Sequence, residues 1–128
     1  MFRAGHPDAV ALRYAVDVAG GVDGIALTHL DVAARHRLRL CLAYRDGGRL
    51  IRRIEPGPER DLDGQERLTG TLLRVRPVYS DPSGGDAARD WPDIFEAMLG
   101  APVVLRSYGP TAAAKRGVTA GAGAASAG

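Results

Sequence analysis

Cysteine and lysine are nearly missing from this chain of 128 residues. The single cysteine, Cys41, excludes an intramolecular disulfide and a multi-cysteine metal site. Its place in Leu40-Cys41-Leu42 suits a small buried hydrophobe better than a reactive thiol. Of the 17 basic residues, 16 are arginine and the one lysine is Lys115. Residues 1 to 114 therefore hold no lysine nucleophile, Schiff-base lysine or phosphate-loop lysine. The three histidines, His6, His29 and His36, are not in metal-ligand spacing. With no secretory leader pattern and no apolar run near ~18 residues, the expected location is the cytoplasm.

What is present fits one ordinary soluble domain, with 45% hydrophobic and 25% charged residues. The net charge of +2 comes from basic residues interspersed with 15 acidic ones, so no phosphate-backbone footprint of the nucleic-acid kind is indicated. Beyond Pro110 the sequence turns to Ala, Gly, Thr and Ser with almost no large apolar group. Such a segment cannot bury enough surface to offset the entropy of ordering, so 111–128 is expected to be a disordered, low-complexity tail after a folded segment over 1–110.

The apolar stripe Val10, Tyr14, Val18, led by the N-cap residue Asp8, predicts a short helix that stops at Gly20-Gly21. Gly24 to Leu30 reads as a fully buried strand, with Asp31 at the sheet edge beyond it. Arg37 to Tyr44 alternates charged and apolar residues, and Asp46-Gly47-Gly48 supplies a hairpin turn into Leu50 to Ile54. Glu55 to Gly64 reads as a surface loop, and residues 68 to 79 are expected to hold a further strand ending in Val78-Tyr79. Asp90 is expected to cap a helix through Met98 with Pro92 in its first turn, ahead of a last buried strand from Pro102 to Leu105. This alternation favours an α/β fold with a mixed sheet, a β-hairpin and short packing helices.

The run Ile25 to Leu30 ends in Thr28-His29-Leu30-Asp31. A carboxylate at the mouth of a strand can accept two parallel hydrogen bonds from the N1 and N2 donors of guanine, a pair that adenine does not offer. The bland reading of Asp31 is a turn or capping aspartate. Six blocks bear on the choice: Asp8 to Val16, Leu27 to Val32, Leu40 to Tyr44, Pro77-Val78-Tyr79, Gly100 to Val104, and Ser107-Tyr108-Gly109-Pro110. In this order, across residues 3 to 110, they resemble the carboxy-terminal part of the adenylosuccinate synthetase family.

The resemblance implies the carboxy-terminal part of that family's fold and a GTP-dependent ligase that joins aspartate to inosine monophosphate, with magnesium, in purine nucleotide biosynthesis. It implies GTP-binding roles for Asp31 and His29, in the place of the family's Thr-Lys-Leu-Asp motif, and for Ser107 and Gly109, in its Ser-x-Gly-Pro segment. His29 stands where the family has Lys; an imidazole can still stack on a purine, while the bland reading is a side chain merely tolerated there. For Ser107 and Gly109 the bland reading is a strand followed by a Gly-Pro turn. The family continues that segment with Asp-Arg, whereas Thr111-Ala112 follows here. Arg3 matches the end of an arginine-rich loop that contacts substrate and nucleotide.

The family's phosphate loop, magnesium ligands and catalytic residues have no counterpart in this sequence, so no catalytic residue and no metal ligand is assigned. The expected role is the guanine-nucleotide-binding part of such a ligase, either cut from a longer protein or encoded separately and completed by a chain carrying the amino-terminal catalytic part. Two other readings stand beside it: a binding module with guanine-nucleotide affinity but no chemistry, and a decayed remnant of the enzyme. No nucleic-acid or membrane partner is expected.

Overall fold

The computed structural model describes residues 5–80 and 87–118, for 87–89 the backbone alone. In chain order the elements are α1 (Ala9–Val18), β1 (Ile25–Leu27), α2 (Leu30–Arg35), β2 (Leu40–Asp46), β3 (Arg49–Ile51), α3 (Leu62–Arg74), β4 (Arg76–Ser80), α4 (Ala87–Leu99), β5 (Val103–Ser107), a 3-10 turn (Ala112–Ala114) and β6 (Lys115–Gly117). They form two small sheets. One is mixed, in the order β1-β5-β6, with β1 parallel and β6 antiparallel to β5; the other is antiparallel, in the order β3-β2-β4. The α/β class, the mixed sheet and the hairpin agree with the sequence reading.

Asp8 starts α1 as its sequence suggests. One carboxylate oxygen accepts from the backbone N–H groups of Val10 at 2.9 Å and Ala11 at 3.0 Å. The other accepts from the Tyr44 hydroxyl at 2.6 Å, so a single side chain caps the helix and ties it to β2. The helix ends ahead of Gly20 and Gly21, whose φ angles of 77° and 102° belong to the left-handed region that glycine adopts freely.

The main core gathers Ala9 of α1, Leu30 and Ala33 of α2, Leu40 of β2, Trp91 and Phe95 of α4, and Val103 of β5. A second cluster holds Val10, Cys41 and Tyr44, with Ile51, Ile54 and Val75 packed on it. Cys41 and Tyr44 are three apart, which strict strand alternation would place on opposite faces. The pairing with β4 slips between Cys41 and Ala43, leaving Leu42 as the extra residue of a bulge, and this brings both side chains to the same face. Cys41 is buried and free, and desolvation pushes its thiol above the ordinary range, which suits its sequence assignment as a packed hydrophobe.

Several sequence expectations change. The strand expected over Gly24 to Leu30 covers only Ile25–Leu27 and is half-buried in part, because His29 adopts φ 63° and turns the chain into α2. Asp31 consequently lies in the first turn of α2 and not at the sheet edge. The strand expected within 68 to 79 and ending in Val78-Tyr79 is β4, Arg76–Ser80, while the residues ahead of it are helical up to Arg74. Asp61 caps that helix by accepting from Gly64 N–H at 2.9 Å, and Thr69 and Thr71 donate back to the carbonyls of Gln65 and Arg67. These local bonds satisfy the β-branched residues within a helix; they also mean that the loop expected through Gly64 ends at Asp61.

The fourth helix runs from Ala87 and so starts ahead of Asp90, with Pro92 buried inside it. The boundary of the carboxy-terminal segment also lies later than composition suggested. Residues 112–117 form the 3-10 turn and β6, whose ladder with β5 supplies main-chain partners that need no apolar side chain; 119–128 lie outside the described residues. Among the described residues, no helix is long and apolar enough to cross a membrane.

Candidate functional site

The left-handed turn at His29 has a structural purpose. Its carbonyl accepts from both Val32 and Ala33 N–H at 3.0 Å, so α2 begins immediately where β1 ends. A non-glycine residue in this conformation costs roughly 1–2 kcal/mol and is held there by its surroundings. The Thr28 hydroxyl lies 2.9 Å from His29 Nδ1, a hydrogen bond whose direction follows the imidazole tautomer. Asp31, two residues on, pairs with Arg35 one turn later, Arg35 Nη2 donating to Asp31 Oδ2 at 2.8 Å.

On the neighbouring strand, Ser107 is buried and its hydroxyl donates to the Gly109 carbonyl at 3.0 Å. This bond closes the turn that leads through Pro110 to the 3-10 segment. At Gly109 a Cβ would stand 3.2 Å from the Ala114 Cβ, so the absent side chain lets the returning chain pack closely. The parallel pairing of β1 with β5 brings the ends of both strands to one place. Gly24 permits the approach at the start of β1, where a Cβ would lie 2.9 Å from both γ carbons of Val104.

The result is a cavity of about 310 Å³ lined by Thr28, His29, Asp31, Ser107, Gly109, Pro110 and Lys115. Four residues singled out in the sequence, His29, Asp31, Ser107 and Gly109, therefore share one wall system, although up to 80 positions separate them. Arg3 lies outside the described residues. The arrangement offers a carboxylate, an imidazole, hydroxyls and an ammonium around one open cavity. A larger groove of about 490 Å³ between α1, the loop ahead of α3 and α3 itself contains none of the expected site residues.

Magnesium, which the family resemblance implies for the complete enzyme, does not fit this pocket. Asp31 is its one carboxylate, and no group of three or more His, Cys, Asp or Glu among the described residues is placed to hold a metal ion.

No family model matches the chain. Adenylosuccinate synthetases of Citrifermentans bemidjiense and Pelobacter propionicus are 34% and 33% identical to it over 116 and 111 residues. That of Geobacter sp. strain M21 is 33% identical over 116 residues. Each match takes in 84% of this chain and 26% of the relative.

The chain resembles adenylosuccinate synthetase.

The fold agrees. A fully ligated adenylosuccinate synthetase from Plasmodium falciparum superimposes with a TM-score of 0.66 at 23% identity, over 88% of this chain and 28% of that one. The synthetase-like chain thus spans about a quarter of the length of the curated relatives it matches.

Two charged residues escaped sequence reasoning: Arg35, which pairs with Asp31 without lining the cavity, and Lys115, which lines it. Arg35 escaped because Asp31 was placed at a strand end; the Asp31 to Arg35 spacing of i to i+4 is a helical signal once α2 is assumed. Lys115 escaped because it lies beyond Pro110 in a segment taken as a tail. Only the ladder between β5 and β6 returns it to the site.

Proposed function

We propose that this chain is the guanine-nucleotide-binding part of an adenylosuccinate synthetase-like ligase, with GTP as the nucleotide. In this reading Asp31 accepts from the guanine N1 and N2 donors, and His29 stacks along the base. Ser107 and the backbone at Gly109 approach the ring from the other side. The observation that carries the reading is the convergence of His29, Asp31, Ser107 and Gly109 on one cavity.

Selectivity follows from the chemistry of the carboxylate. An ionised carboxylate is an acceptor only, so it pairs with the N1–H and N2–H edge of guanine and meets an acceptor, N1, in adenine. A site built to hydrogen-bond one edge rejects the analogue lacking it, because its polar groups are then left without partners. The GTP-dependent joining of aspartate to inosine monophosphate further needs phosphate-cradling and metal-binding groups. We propose that these come from the family's amino-terminal part, in the same polypeptide or in another.

Calorimetric titration of the folded chain with GTP and with ATP tests the reading. Binding of GTP with little or none of ATP is the expected result. A folded chain that binds neither, or both equally, would remove guanine recognition.

A further inference from the structure

Lys115 is the sole lysine of the chain, and the fold puts it in the pocket. It is the direct cross-strand partner of Ser107 in the antiparallel pairing of β5 with β6. Directly opposed residues point to the same face of a sheet, so the Lys115 side chain lies on the face that carries Ser107, and both residues line the cavity. The Lys115 ammonium donates to the Thr111 carbonyl at 3.2 Å, which holds it over the turn at the pocket rim. That bond uses one of its three N–H donors.

The pocket then has two charged walls of opposite sign, Asp31 at the start of α2 and Lys115 on β6. A guanine ring has matching polarity: donors at N1 and N2, and acceptors at O6 and N7 on the adjoining edge. Asp31 can serve only the donors. Among the residues lining the cavity, Lys115 carries the cationic donor on a flexible stem long enough to reach an acceptor edge.

We infer that Lys115 is a specificity-determining residue that donates to the O6 and N7 acceptors of the guanine whose N1 and N2 donors pair with Asp31. This rests on the guanine reading of the pocket. It also assigns a task to residues 111–118, which would otherwise have only a structural one. Adenine carries an amino donor in place of O6, so an ammonium opposite that position repels it while the carboxylate finds no donor pair. The two charges therefore discriminate in the same direction.

The test is titration of the full chain and of Lys115→Met with GTP, guanosine and 7-deaza-GTP, with Lys115→Arg as the charge-conserving variant. Lys115→Met should weaken both GTP and guanosine roughly tenfold, and Lys115→Arg should retain most of the affinity. The unmodified chain should bind 7-deaza-GTP several-fold more weakly than GTP, a comparison that needs no variant to fold, while Lys115→Met should not distinguish the two. Full affinity of Lys115→Met for GTP, alongside selective GTP binding by the unmodified chain, would overturn the inference and leave the guanine reading standing. A loss confined to GTP and absent with guanosine would assign Lys115 to a phosphate and overturn the base contact. Failure of the unmodified chain to prefer GTP over ATP would remove the guanine reading, and this inference with it.

Discussion

Arg35 Nη2 sits 2.8 Å from Asp31 Oδ2, so the carboxylate proposed to read guanine is already engaged by a neighbour on its own helix. The arginine is 68% exposed and the aspartate 31%, which makes this a solvent-screened pair that holds the carboxylate only weakly. Such pairs contribute about 0–1 kcal/mol. An incoming base with two donors can displace it.

Arg35→Ala should therefore tighten GTP binding by up to about fivefold, because the competing cation is gone. Titration calorimetry at low salt measures it. A loss of affinity beyond tenfold would instead make Arg35 a positioning residue for Asp31.

Asp31→Asn should abolish the preference for GTP over ATP, since an amide presents a donor where the carboxylate had an acceptor. The ratio of the two dissociation constants is the quantity to follow. Unchanged selectivity would take the central role away from Asp31.

For His29, replacement by Lys should strengthen nucleotide binding, because lysine keeps its charge at neutral pH and has a longer aliphatic stem to lie along the base. Weaker binding by His29→Lys would mean that the imidazole, with its bond to the Thr28 hydroxyl, is adapted to this pocket.

Tyr44 governs a pH effect. Burial, reinforced by its bond to Asp8, pushes the phenol well above its ordinary value of 10.0. Above about pH 10 the unfolded chain loses the phenol proton and the folded chain keeps it, so stability falls as pH rises from there and is fully present below it. Tyr44→Phe should lower stability at pH 7 by about 1–2 kcal/mol through the lost bond to a carboxylate, and should flatten the alkaline decline. Urea unfolding at pH 7 and at pH 10.5 separates the two effects.

Removal of residues 112–128 should lower the melting temperature by several degrees, because it strips β6 from β5 and leaves main-chain groups such as Tyr108 N–H, now bonded to the Ala114 carbonyl at 2.9 Å, without partners. Thermal unfolding followed by circular dichroism gives the shift. An unchanged melting temperature would show that the strand adds nothing to stability.

The cap at Asp8, the stop at Gly20-Gly21, the hairpin turn at Gly47-Gly48 and a strand near Val103 were all legible in the sequence, although that strand is buried only at Val103 and Ser107. Each rests on a residue type whose local chemistry has one favoured outcome. His29, Asp31, Ser107 and Gly109 stood out through two short motifs far apart in the chain, and they line one cavity. Tertiary structure decided that the two motifs meet, because the parallel pairing of β1 with β5 is a long-range contact that no local pattern encodes. It also decided the face on which Tyr44 lies, through the bulge at Leu42, and the direction in which Asp31 points, through the left-handed turn at His29. Lys115 shows the division most plainly: composition called its segment unfoldable, yet backbone hydrogen bonds to a neighbouring strand depend on position and not on side-chain hydrophobicity.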